Sequence, residues 1–176
     1  MISSLIAVIA INTINLGIGF GPNIPVGGIA QNYKTTTTGT IFCTVNNLGI
    51  DYTYSKFTNK NTNIDHLSIH STTISYQYPL FKKETHQMDI ILGGNYNRII
   101  HKFELGSENG YVFGLRYGLN YQEIIQGSQS LDRLKPALSG KVLINQYIQT
   151  RDWNYTQITS SNFTLSLLLG ISFRIL

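Results

Sequence analysis

Seven apolar residues alternate without a break at the end of the chain: Phe163, Leu165, Leu167, Leu169, Ile171, Phe173 and Ile175. Between them lie Thr164, Ser166, Leu168, Gly170, Ser172 and Arg174. In an extended strand successive side chains point to opposite faces, so the odd-numbered set forms one apolar face. Strands of water-soluble sheets average about five or six residues, whereas a tilted strand of about ten crosses a bilayer. Phe163 to Leu176 is therefore expected to be a membrane-spanning strand, with odd residues toward lipid and even residues inward.

Seven further segments carry the same period. Gly110 to Tyr121 sets Tyr111, Phe113, Leu115, Tyr117, Leu119 and Tyr121 against Gly110, Val112, Gly114, Arg116, Gly118 and Asn120. Leu16 to Ile24 sets Leu16, Ile18, Phe20 and Ile24 against Gly17, Gly19, Gly21 and Asn23. Thr40 to Val45, Leu48 to Ser55, Thr72 to Leu80, Met88 to Tyr96 and Leu138 to Ile148 complete the set. Asn46-Asn47 is a tight-turn pair between two of them. Eight strands predict an all-β fold, an eight-stranded antiparallel up-and-down transmembrane β-barrel over residues 15–176.

The connections support that topology. Val26 to Thr38, Thr58 to His66, His101 to Asn109 and Thr150 to Ser161 read as long and polar, while Asn46-Asn47 and Phe81 to Thr85 are short. Long and short connections alternate as they do when one barrel end faces the medium. Glu123 to Arg133 breaks the rule, being long where a short turn is due. Residues 1–14 include MISSLIAVIAI, similar to the apolar part of a signal peptide, although no Lys or Arg precedes it. A buried first strand or helix would carry the same pattern.

Charge decides which face is inside. Only 12% of residues are charged, about half the usual fraction of a soluble domain. The second face of each strand is Gly, Ser, Thr and Asn, which suits a packed lumen better than a water-exposed surface. Asp51, Asp89, Arg116, Lys141 and Arg174 fall on that face and are expected to form a lumenal charge network, because a buried charge needs a partner. Tyr52, Tyr54, Tyr76, Tyr78, Tyr96, Tyr111, Tyr117 and Tyr121 fall on the other face and are expected to form interfacial girdles.

No catalytic or cofactor motif emerges. His66, His70, His86 and His101 lack metal-ligand spacing, and the one cysteine, Cys43, excludes an internal disulfide. Gly17, Gly19 and Gly21 lead into Pro22 and Pro25 instead of a helix, so a dinucleotide loop fails its context. The net charge of +4 is spread without a basic stripe, so no nucleic-acid partner is expected.

With LGIGFGPNIPVGG from Leu16 to Gly28 and the alternating final strand, the chain resembles the small outer-membrane β-barrel proteins of OmpA-like, OmpX-like and OmpW-like type. The resemblance covers Asn15 to Leu176. It implies a monomer in the bacterial outer membrane, surrounded by lipid and lipopolysaccharide and inserted by the barrel-assembly machinery. The family usually ends on an aromatic residue, whereas Arg174, Ile175 and Leu176 follow Phe173 here. A non-enzymatic structural or surface-interaction role is expected. OmpW-like passage of small hydrophobic molecules is the alternative, and an apolar pocket near the outer rim would favour it. A remote third is lipid A deacylation, which uses an H-x-S pair such as His66-Leu67-Ser68. Ile69 stands where that family has Asn, and no Glu follows at a suitable distance.

Overall fold

The computed structural model describes residues 13–61, 65–83, 85–120, 136–150, 152–153 and 162–175. These form β1 (Ile14–Val26), a short helix α1 (Gly28–Asn32), β2 (Thr36–Val45), β3 (Leu48–Thr58), β4 (His66–Lys82), β5 (His86–His101), β6 (Glu104–Asn120), β7 (Pro136–Ile148) and β8 (Phe163–Arg174). Each strand pairs antiparallel with the next, and β8 returns to β1 to close the barrel. The closing seam sets Leu16 opposite Phe173 and Ile18 opposite Ile171. Closure is what lipid demands, since an unpaired edge has no water to satisfy it there.

Both ends of the barrel domain, Ile14 and Arg174, lie at one mouth with the β2–β3 and β4–β5 turns. The β1–β2, β3–β4, β5–β6 and β7–β8 connections lie at the other, the distal mouth. Asn46 makes the β2–β3 turn with φ of 53°, a left-handed conformation that Asn tolerates better than most residues.

Strand polarity follows parity. In β8, Leu167, Leu169, Ile171 and Phe173 are exposed on the wall, and Thr164, Ser166, Leu168 and Ser172 are buried inside. The wall elsewhere is equally apolar, with Ile18, Phe20, Ile41, Ile74, Leu92 and Phe113 exposed.

Three expectations need correction. His101 to Asn109 is no long connection: β5 and β6 run through it to a two-residue turn at Lys102-Phe103, with His101 opposite Glu104. Its alternation is hidden because both faces there carry polar residues. Val26 to Thr38 is no open polar loop either. α1 drops Ile29 into the distal mouth, and Tyr33 follows it to 1% exposure. Third, the inward face is not polar throughout, because apolar layers cross it. β1 also begins at Ile14, one residue inside the segment read as a leader. Residues 1–12, Tyr121, the Glu123 to Arg133 connection and most of Thr150 to Ser161 lie outside the described residues.

Candidate functional site

The lumen is built in four layers. Nearest the chain ends is the charged layer, where Lys141 Nζ donates to Asp51 Oδ1 at 2.8 Å. These residues sit on β7 and β3, four strands apart, so in an eight-stranded barrel the bond ties opposite walls. Lys141 Nζ also lies 4.0 Å from the Phe42 ring centroid. The Phe42 ring occupies the space where a side chain at residue 17 would go: a Cβ on Gly17 would meet Phe42 Cζ at 2.4 Å. The β1 glycine thus makes room for the ring under the buried ammonium, a cation–π arrangement.

Arg116 lies beside this pair. Its Nε is 3.7 Å from Asp89 Oδ2, and its Nη1 donates to Gln77 Oε1 at 2.6 Å. Asp89 accepts from Gln87 Nε2 at 2.7 Å through Oδ1. Asp51 and Arg174 are near enough to act on Arg116 electrostatically. Of the five charges singled out from the sequence, four form two ion pairs. Arg174, at the end of β8, makes no ion pair with a described carboxylate.

Above the charges, Ile91, Val112, Leu143 and Leu168 form an apolar layer. An amide and hydroxyl layer follows. Asn97 Nδ2 donates to Asn95 Oδ1 at 2.7 Å, Ser71 Oγ to Asn97 Oδ1 at 2.5 Å, and Asn23 Nδ2 to Ser55 Oγ at 2.9 Å. The distal mouth is capped by Ile29, Tyr33, Phe57, Leu67, Ile69, Ile99, Tyr147 and Trp153. Burial, with Asp65 and Glu104 nearby, pushes the Tyr33 phenol up to about 12. A backbone bridge between Tyr33 and Asn59, and Gly28 N–H donating to Asn162 Oδ1 at 2.6 Å, hold the cap.

The cap includes Glu108, which sequence reasoning places in a loop. It is 1% exposed. Its Oε1 accepts from Trp153 Nε1 at 2.6 Å, and its Oε2 accepts from Thr150 N at 2.8 Å and Thr150 Oγ1 at 2.7 Å. Three neutral donors replace its hydration. The period-two register from Val112 back through Gly110 would have found it.

Between these layers remains a cavity of about 20 Å³, bordered by Asn23, Asp51, Ile91, Asn145 and Ser166. That is room for one or two water molecules. Two larger hollows, about 440 and 710 Å³, lie on the outer wall where outward Gly140 leaves a gap. Ile18, Leu138 and Ile171 line the first, Pro22, Leu115 and Val142 the second, and Phe20, Tyr117 and Leu169 border both.

The tyrosines singled out from the sequence that lie among the described residues all face outward, from 40% exposed at Tyr54 to 63% at Tyr111. Tyr76, Tyr78 and Tyr117 lie in the strand halves nearer the chain ends. Tyr52, Tyr54, Tyr96 and Tyr111 lie farther up. A histidine joins each group: Tyr52 Oη and His70 Nδ1 are 2.6 Å apart, as are Tyr117 Oη and His86 Nδ1. His66 and Ser68 share the outward face of β4, but His66 Nδ1 has no hydrogen-bond partner, so neither Ser68 nor a carboxylate engages it there. Among the described residues, no cluster of three or more His, Cys, Asp or Glu is placed to hold a metal.

A closed eight-stranded barrel with an apolar wall, aromatic rows and a filled interior defines a small transmembrane β-barrel. Solved structures that share this fold include three outer-membrane or surface proteins. Neisserial surface protein A superposes with a TM-score of 0.59 at 10% identity, over 91% of this chain and 96% of its own. Ail, the attachment invasion locus protein of Yersinia pestis, gives 0.53 at 11%, over 92% and 97%. A major outer membrane protein from Thermus thermophilus gives 0.51 at 12%, over 92% and 98%. No protein-family model and no curated protein sequence matches the chain.

Proposed function

We propose that this chain is a non-enzymatic surface protein of a bacterial outer membrane, acting through its wall and distal loops and not through its lumen. The carrying observation is the packed interior among the described residues: charge, apolar and amide layers beneath a capped mouth, bordering a cavity of about 20 Å³. A channel needs a continuous wet path, and passage of a hydrophobic molecule needs an apolar pocket opening near the distal rim. The two larger hollows lie on the outer wall around Gly140, and neither is lined by a residue of the distal cap. His66 Nδ1, without a hydrogen-bond partner, gives no support to deacylation. In this reading the distal mouth faces the medium, and lipopolysaccharide and other outer-leaflet lipid surround the upper tyrosines. Insertion would use the barrel-assembly machinery through β8, and the protein would be a monomer.

Location and orientation are tested on intact cells with a charged, membrane-impermeant maleimide. Cys43 lies on β2 between outward Ile41 and Val45, so lipid should shield it. Phe103, 57% exposed at the β5–β6 turn, should label as Phe103→Cys in a Cys43→Ser background. Labelling of Cys43, or an unreactive Phe103→Cys in whole cells that reacts after lysis, would refute the reading.

A further inference from the structure

We infer that the outward face of β3, β4 and β5, in the row of Tyr54 and the row above it, binds the phosphate of an outer-leaflet lipid headgroup through Lys56, Ser68, His70 and Arg98. This rests on the proposed orientation of the barrel.

Register brings the four together. Tyr54, His70 and Arg98 are neighbours in one row across the three strands, and Lys56, Ser68 and Ile100 form the next row up. Adjacent strands lie about 4.8 Å apart, and rows on one face are about 7 Å apart. Lys56 and Arg98 are exposed, while Ser68 and His70 are half-buried between them. Both ion pairs among the described residues lie in the lumen, so no described carboxylate neutralises Lys56 or Arg98.

His70 is fixed for the role. Its Nδ1 meets Tyr52 Oη at 2.6 Å, and its ring lies 4.9 Å from that of Tyr54. When Nδ1 accepts from the phenol, Nε2 carries the proton and is a donor. A guanidinium, an ammonium, an imidazole N–H and a hydroxyl then line one short stretch of wall. Hydrogen bonds from charged donors to phosphate oxygens are the strong kind, and a guanidinium can engage two oxygens at once.

The wall below points to a lipid as the source of that phosphate. Tyr52 and Tyr96 flank the small Thr72, and under them Ile74 and Tyr111 flank Gly94. Beyond Gly94 only Gly110 O comes within 4 Å of a built Cβ, at 3.7 Å. Between the exposed Ile74, Leu92, Tyr96 and Tyr111 this leaves a shallow apolar track. An acyl chain fits there while its headgroup reaches the cations, at the depth where tyrosine rings meet headgroups.

The test uses the full chain in phosphatidylcholine nanodiscs carrying lipid A either phosphorylated or enzymatically dephosphorylated. Native mass spectrometry after release reads which lipid stays bound. The phosphorylated form should be retained preferentially. Lys56→Ala/Arg98→Ala should weaken retention on the order of 25-fold, from about fivefold per cation near a headgroup. Lys102→Ala, at the turn, should not. Arg98→Lys keeps the charge and should retain part of the binding. Heat-modifiable migration confirms folding of each variant. Equal retention of the two lipids, or no loss in the double variant, overturns the site. Complete displacement by millimolar inorganic phosphate would show a free-anion site and also overturn it. If Phe103→Cys still labels on cells while lipid retention is indifferent to phosphate, the headgroup site fails alone and the surface reading stands.

Discussion

Removing one end of the cross-lumen ion pair should cost more than removing both. Lys141 is 4% exposed and Asp51 8%, and the 2.8 Å bond joins opposite walls. Breaking a buried pair by deleting one partner costs about 3–5 kcal/mol, because the survivor is left charged and dry. Lys141→Met keeps an unbranched stem of similar length but removes the ammonium over Phe42 and strands the Asp51 carboxylate. Asp51 borders the small cavity, where water can enter, and lies within the field of Arg116. The lower end, about 3 kcal/mol, is therefore expected for Lys141→Met. Asp51→Leu strands the ammonium over Phe42 and should cost about as much. The double variant has no charge left to solvate, and such replacements are neutral or stabilising. It should unfold within about 1 kcal/mol of the parent, giving a coupling of roughly 5 kcal/mol toward the pair. Urea titration of the protein refolded into vesicles, read by circular dichroism and by heat-modifiable migration, supplies the four free energies. Single variants each costing under about 1 kcal/mol, or a double variant losing the sum of the singles, would refute a dry, mutually dependent pair.

Two other perturbations probe the cap. Trp153 is the one tryptophan, and Glu108 accepts its indole N–H, so fluorescence reports the docking of the β7–β8 connection directly. Glu108→Ala should shift the emission to the red, raise acrylamide quenching and cost about 1–3 kcal/mol through stranded donors. Glu108→Gln, which keeps an acceptor, should fall between, and an unshifted emission in the alanine variant would contradict the docking. Tyr33, pushed up to about 12 from 10.0 mainly by burial, should make stability sensitive to alkali. Between pH 10 and 12 the unfolded chain has lost this proton and the folded one holds it, so stability falls as pH rises. The full loss is at most about 2–3 kcal/mol. Below pH 10 the contribution is complete. Tyr33→Phe should flatten that part of the pH profile relative to the parent, and parallel profiles would refute the assignment.

What could be read in advance tracks where the surroundings differ across a strand. β8 was legible because lipid lies on one side and packed lumen on the other, and the two solvents select opposite residues at each step. The same contrast placed Asp51, Asp89, Arg116 and Lys141 on the inner face by parity alone. It fades above the upper tyrosines. There Asn97, His101, Gly106 and Glu108 alternate with Arg98, Ile100, Leu105 and Ser107, so polar residues occupy both faces and the strand passes for a loop. α1 offers five residues, Gly28–Asn32, too few to show a helical period. Which Asp meets which cation could not be read either. Asp89 and Arg116 are direct register partners on adjacent strands, but Asp51 and Lys141 are 90 residues apart in sequence and four strands apart in space. Their meeting depends on how narrowly the barrel closes. That closure depends in turn on glycines such as Gly21, where a Cβ would lie 1.8 Å from Leu167 O at the β1–β8 seam. The small residues that let β1 and β8 approach also bring Lys141 and Asp51 within bonding distance. The tie that results spans the lumen from β3 to β7 and forms the floor on which the apolar layer of Ile91, Val112, Leu143 and Leu168 packs.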